Sequence, residues 1–231
     1  SVCDAHEVTA LRTAAASAVA TKHLARASSA AAPATLAILG TGEQALRHVE
    51  AIALVAHIGA VRVWGRDAAK AAAVATECAR RFPAIAPGNV HACATAQLAV
   101  ADADVVCTLT GARVTDAPVL QGAWLKEGAH VNAVGACTPN HRELDTECVV
   151  RSRLFVDTRA ACLAEPGDLV CPLQEGAITA AHIIGELGDV IDGRVEGRRA
   201  GNAADITLFK SVGAAVEDLY AAERVFSGFS T

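Results

Sequence analysis

The residues with the clearest chemical meaning are Gly40-Thr41-Gly42-Glu43-Gln44-Ala45, a Gly-x-Gly-x-x-Ala pattern directly after the apolar run 35–39. Glycine at 40 permits a tight turn, glycine at 42 lets backbone touch a pyrophosphate, and small Ala45 lets the next helix press against the strand. The first helix amides then point at an anion. The pattern could also be a plain glycine-rich turn, but a strand before it and a helix after it favour dinucleotide binding.

A second candidate cluster, Gly65-Arg66-Asp67, follows the expected second strand, Val61-Arg-Val-Trp64. NAD-preferring sites carry an acid at the end of this strand to accept the ribose 2′-hydroxyl. Gly65 has no carboxylate to offer, whereas the Arg66 guanidinium suits a 2′-phosphate, so the expected cofactor is NADP(H) in preference to NAD(H). Arg66 could also be a solvated turn residue, and Asp67 could cap the alanine-rich helix that follows it.

These residues need a scaffold, and its pattern is readable. An alanine-rich stretch 9–29 without Gly or Pro predicts a helix capped by Thr9. Strands are expected at 35–39, 60–64, 90–93, 104–109, 130–134 and 154–157, with helices at 43–57 and 67–81. Strand–helix alternation implies crossover connections, hence an α/β fold: a doubly wound, Rossmann-type, mostly parallel sheet spanning 33–159. Residues 1–32 and 160–231 carry too little strand signal for a domain each, and are expected to pack together as a second domain made from both chain ends. A terminal helix is expected from about Ser211.

Composition limits the partners. The chain has 231 residues, 52% hydrophobic, and a formal charge of -5, which gives no basic field to attract nucleic acid. Eight cysteines, at 3, 78, 93, 107, 137, 148, 162 and 171, include no Cys-x-x-Cys pair; they read as buried thiols in a reducing cytoplasm rather than metal ligands. No apolar run is long enough to span a membrane, and no signal peptide is visible. Without any methionine, even at position 1, the chain is expected to lack an upstream portion.

Five segments in order, Val8-Thr-Ala-Leu-Arg-Thr-Ala-Ala15, Leu39-Gly-Thr-Gly-Glu-Gln-Ala45, Asn132-Ala-Val-Gly-Ala136, Arg142-Glu-Leu-Asp145 and Thr207-Leu-Phe-Lys-Ser-Val-Gly213, resemble the ornithine cyclodeaminase/mu-crystallin family over nearly the whole chain. The resemblance implies a homodimer with a Rossmann domain, acting on a cyclic imino acid or an amino acid. It implies that Arg12 lies near the nicotinamide and the substrate carboxylate, which a guanidinium can hold by two parallel hydrogen bonds. It places Glu43 and Gln44 on the pyrophosphate, Thr108 and Thr110 on the adenine-ribose side, residues 134–136 (Val134 first) along the nicotinamide, Ser211 on the cofactor, and Glu165 facing the substrate. Thr108 and Thr110 could also be plain strand ends, and Glu165 a helix-end carboxylate.

The departure from the family pattern is at Cys137. Cyclodeaminases carry an aspartate there for the substrate amine, and a thiol, with an ordinary pKa of about 8.5 against about 3.9 for Asp, has no fixed charge at neutral pH. The mu-crystallin-like ketimine reductases carry a small serine, which cysteine resembles better. The expected activity is therefore NADPH-dependent reduction of a cyclic ketimine such as pyrroline-2-carboxylate or piperideine-2-carboxylate. Two alternatives stay open: an NAD-linked cyclodeaminase or amino-acid dehydrogenase, and a non-catalytic ligand-binding protein.

Overall fold

The computed structural model describes residues 5–85, 88–111 and 117–228; Cys3 lies outside the described residues. In chain order the elements are α1 (Ala5–Leu24), β1 (Ala34–Leu39), α2 (Glu43–Ala53), β2 (Ile58–Trp64), α3 (Ala68–Arg81), β3 (Val90–Ala92), α4 (Ala96–Val100) and β4 (Val105–Thr108). They continue with β5 (His130–Ala133), α5 (Thr146–Val150), β6 (Ser152–Val156), α6 (Arg159–Ala164), α7 (Gly167–Gln174), β7 (Ile183–Glu186), α8 (Leu187–Ile191), β8 (Ile206–Lys210) and α9 (Ala215–Gly228).

All eight strands form one parallel sheet in the order β3-β2-β1-β4-β5-β8-β6-β7. Central β1 and β4 are buried almost throughout, so they read as near-continuous apolar runs. Within β1, Leu36 and Ile38 face one core layer while Ala37 and Leu39 face the other. The helices bury narrow stripes of small residues. Ala45, Val49 and Ile52 of α2, and Ala71, Ala75 and Cys78 of α3, recur at three- and four-residue spacing and press on the face that holds Leu36 and Ile38. A fully buried Ile38 contributes about 1.5–3 kcal/mol by leaving water, and truncating it to alanine adds the cost of a cavity.

The order of the strands creates the ligand site. From β1 the chain winds outward to β2 and β3, then returns to place β4 on β1's other side. Crossovers diverge at that point, which opens a crevice at the carboxyl ends of β1 and β4.

Several expectations need correction. The sheet does not stop at 159: β7 and β8 belong to it, and β8 is inserted between β5 and β6. β8 pairs with strands far away in sequence, so local pattern could not reveal its place. The first helix begins at Ala5, putting Thr9 inside it rather than at its cap, because nothing in 5–8 breaks a helix. It ends at Leu24, since Ser29 and Ala32 form a bridged turn instead. α2 closes at Ala53, and the last helix starts at Ala215 rather than at Ser211. The two chain ends do meet, α1 packing against both α2 and α9.

Candidate active site

Three neighbouring cavities that share wall residues run along the carboxyl edge of the sheet. The middle one, about 350 Å³, is floored by Gly40, Thr41 and Gly42 and walled by Gly65, Arg66, Asp67, Lys70, Leu109, Thr110 and Gly111. Arg66 and Thr110 also border an outer cavity of about 580 Å³, where both tryptophans of the chain, Trp64 and Trp124, line the wall with Thr95 and Val119. Leu109 is shared with an inner cavity of about 220 Å³ lined by Thr9, Arg12, Thr13, Gln44, Val134, Gly135, Cys137, Ser211 and Val212.

The glycine bend has the chemistry of a phosphate cradle. Gly40 sits at φ +138°, and a Cβ there would lie 2.6 Å from the carbonyl oxygen of Leu109, so only glycine lets β1 turn this close to β4. At Gly42 the space where a Cβ would stand is open to 4 Å. Gly42 also provides the N-cap of α2 without any side-chain cap; the Ala45 amide bonds back to the Gly42 carbonyl at 3.0 Å, leaving the amides of Glu43 and Gln44 to meet an anion. α3 differs: Asp67 caps it, its Oδ1 accepting from the amides of Ala69 (3.0 Å) and Lys70 (3.1 Å). Asp67 is therefore a helix cap that borders the cavity, beside the two cations Arg66 and Lys70. Lys70 escaped the sequence reading because it sits in an alanine-rich helix, one turn beyond the strand end.

In the inner cavity Arg12 is held from α9. Its Nε donates to Asp218 Oδ1 at 3.0 Å and its Nη1 to Glu217 Oε2 at 3.1 Å, which leaves Nη2 without a protein partner among the described residues. Burial raises the Glu217 carboxyl above its ordinary pKa, while Arg12 pulls it back. The expected two-bond carboxylate clamp is thus narrowed to the Nη2 side of the guanidinium. Cys137 lines the same cavity, with Sγ 3.4 Å from the Val134 carbonyl oxygen. Burial pushes its thiol upward and the Lys210 ammonium pulls it down without reversing the shift, so the group is neutral near pH 7. Ser211 donates its hydroxyl to Asp157 Oδ2, which also accepts the amides of Val212 and Gly213.

Other expected site residues lie elsewhere. Gln44 reaches the inner cavity rather than the phosphate bend, with a buried Oε1 that has no hydrogen-bond partner among the described residues. Glu43 is exposed and pairs with His6 at 2.5 Å. Thr108 is wholly buried and donates its hydroxyl to Glu143, so it does not reach the groove. Glu165 is exposed at the C-cap of α6 and lines none of the three cavities, because Pro166 and Gly167 turn the chain away beneath 139–141.

Sequence reasoning missed the charged layer under the pocket. Glu143, Asp168 and Lys210 are each fully buried. Lys210 Nζ lies 3.1 Å from Asp168 Oδ2, off the axis of a hydrogen bond, so the contact is an ion pair. Burial opposes the ammonium, yet Asp168 and Glu143 hold its pKa above the usual lysine value. Burial and the nearby Asp168 raise Glu143. A lysine closing the largely apolar segment Ile206–Lys210 was the one local signal. Among the described residues no group of three His, Cys, Asp or Glu side chains could hold a metal, and no helix is long and apolar enough to cross a membrane.

A parallel sheet with a glycine bend at its switch point and an uncapped helix behind it defines a Rossmann-type α/β protein. The chain belongs to the ornithine cyclodeaminase/mu-crystallin family, whose sequence model matches residues 1–230. It is 40% identical over 230 residues to ketimine reductase mu-crystallin of Mus musculus, a match covering 100% of this chain and 65% of that protein. Thermococcus litoralis Δ1-pyrroline-2-carboxylate reductase, solved in complex with NADH and L-proline, superposes with a TM-score of 0.85 at 36% identity, covering 94% of this chain and 63% of that one. An archaeal alanine dehydrogenase dimer with bound NAD superposes with a TM-score of 0.84 at 31% identity, over 97% of this chain and 65% of that one. The chain thus spans about two thirds of the length of each.

Proposed function

We propose that the protein reduces cyclic ketimines bearing a carboxylate, of the pyrroline-2-carboxylate or piperideine-2-carboxylate type, to cyclic amino acids with a reduced nicotinamide nucleotide. The observation that carries this reading is the shared wall of Arg12 and Cys137: one cavity offers a guanidinium for the carboxylate and no anionic side chain at 137. The named relatives, a ketimine reductase and a pyrroline-2-carboxylate reductase, support it.

The cofactor supplies the hydride. Arg12 Nη2 binds the substrate carboxylate and so fixes the imine carbon against the strip from Val134 to Gly135. Leu109, Val134 and Val212 exclude water around the C=N bond. A protonated imine already carries the proton that the product amine needs, so hydride addition to carbon completes the reduction without a dedicated acid at 137. Gln44 in the same cavity has an Oε1 acceptor without a partner among the described residues, suited to an N–H donor of the bound molecules.

NADPH is the preferred donor in this reading, because Arg66 and Lys70 both border the cavity beyond β2 while the Asp67 carboxylate is engaged in capping α3. The bound forms named for the structural relatives are NADH and NAD, so cofactor choice is a point on which this chain is proposed to differ. A homodimer, with α9 in its interface, accounts for the exposed Val216, Leu219 and Tyr220. The test follows the absorbance of reduced nicotinamide with a cyclic imino acid, and in parallel with ornithine plus NAD. Turnover in the first mixture alone is expected; turnover only in the second would replace reduction by cyclodeamination, and tight NADPH binding with turnover in neither would leave a ligand-binding protein.

A further inference from the structure

The β4–β5 ladder ends at Thr108 and Ala133, short of the loops that wall the inner cavity. Beyond it the amides of Val134 and Gly135 still reach the Thr108 carbonyl oxygen, at 3.1 and 3.2 Å, and one buried carboxylate extends the join to Thr110. Glu143 Oε1 accepts the amide (2.6 Å) and hydroxyl (2.7 Å) of Thr110, while Oε2 accepts the Thr108 hydroxyl (2.7 Å) and the Gly135 amide (2.7 Å). The connection continues outward. Asp168 Oδ1 accepts the Glu143 amide at 2.7 Å, and Asp168 is paired with Lys210 at the end of β8, one residue before Ser211 in the cavity wall. The fit is tight: a Cβ on Gly135 would lie 2.5 Å from Glu143 Oε1 and 2.3 Å from the Thr110 carbonyl oxygen.

We propose that Glu143 is a positioning residue for hydride transfer: by clamping Thr110, the residue after Leu109 of the inner cavity wall, to Gly135 it fixes the spacing between Leu109 and Gly135 across that cavity, and with it the approach of the nicotinamide to the imine carbon. This rests on the reductase reading above. Glu143 lines none of the cavities, so it acts through Thr110 and Gly135. Displacement of reacting groups by about 1 Å can cost a factor of about 10² in rate, which makes a rigid brace at this place worth a buried charge. The chemistry also requires a carboxylate and not merely its shape. Each oxygen accepts one backbone N–H, so a glutamine, whichever way its amide turns, sets NH₂ against the amide of Thr110 or of Gly135.

The experiment compares the complete wild-type protein with Glu143→Gln and Thr108→Val, using reduced nucleotide deuterated at the transferring position. For Glu143→Gln the expected result is kcat lowered by roughly 10², imino-acid KM within about three-fold of wild type, and a larger isotope effect on kcat as hydride transfer becomes slowest. In cofactor-free protein, hydrogen exchange at the Thr110 and Gly135 amides should accelerate. Thr108→Val removes one donor with little change of shape and should move each readout in the same direction by less. A folded Glu143→Gln with wild-type kcat, or with slow turnover and an unchanged isotope effect, overturns the proposal. Failure of both variants to fold also overturns it, since Glu143 would then be a support of the fold alone. Wild-type turnover separates the two claims: an active wild type matched by the variant refutes the role of Glu143 only, whereas an inactive wild type refutes the reductase reading as well.

Discussion

Arg12 on α1 and Glu217 on α9 meet at 3.1 Å across 205 residues of chain, and their contact decides which face of the guanidinium the inner cavity sees. Lysine in place of Arg12 would keep the charge but lose the planar fork, so it could not hold both α9 and a ligand carboxylate. Arg12→Lys is expected to raise the imino-acid KM by about ten-fold or more, the worth of one charge-assisted hydrogen bond, and to leave nucleotide affinity within about two-fold. Steady-state kinetics with saturating nucleotide checks this; an unchanged KM would remove Arg12 from substrate binding.

Cofactor choice is tested at Arg66 and Lys70. Alanine at either position should weaken NADPH by about 10- to 100-fold, the range for a lost hydrogen bond to a charged group, with a much smaller loss for NADH. Trp64 and Trp124 line the adjoining outer cavity, so quenching of tryptophan emission provides the binding signal. Equal losses for both nucleotides would contradict the proposed preference.

Stability should depend on pH through two buried histidines. His48, between Ser17 Oγ and the Gln44 carbonyl, is lowered to about 4 by burial, and His130, between Thr207 and Asn132, to about 3. Below pH 6.5 the unfolded chain takes up these protons while the folded chain refuses them, so stability falls as pH drops from 6.5 toward 4. The loss from His48 alone is on the order of 3 kcal/mol near pH 4. Glu143, raised in the folded state, works in the opposite sense by favouring the folded form in acid. Denaturant midpoints between pH 8 and pH 4 should decline, and His48→Gln should flatten the decline; a flat wild-type profile would contradict the assignment.

The local part of this architecture was legible and the distant part was not. β1, the glycine bend, α2 and the Asp67 cap each follow from a few neighbouring residues whose period and turn chemistry agree. β8 was not read as a strand, because its identity as one depends on β5 and β6 on either side. The site divided in the same way. Arg12, Cys137, Val134 and Ser211 do converge on one cavity, whereas the Glu143–Asp168–Lys210 layer joins residues up to 67 positions apart and carries no spacing signature. Gln44 was placed one cavity away from where α2 turns it.

That buried layer should be costly to break on one side. Lys210→Met removes the only cation paired with Asp168 among the described residues and leaves two buried carboxylates facing each other. A loss of about 3–5 kcal/mol is expected, as for other single-sided breaks of buried ion pairs. Urea unfolding measures it, and a variant as stable as wild type would show that Asp168 and Glu143 are not held ionised by Lys210.

The most direct measurement is the electron density of the complete protein crystallised with reduced nucleotide and a saturated cyclic amino acid. The account places the pyrophosphate over 40–42, the 2′-phosphate beside Arg66 and Lys70, the nicotinamide along Val134 and Gly135, and the ligand carboxylate within hydrogen-bond distance of Arg12. Nucleotide density absent from the glycine bend, or a carboxylate bound away from Arg12, would contradict it.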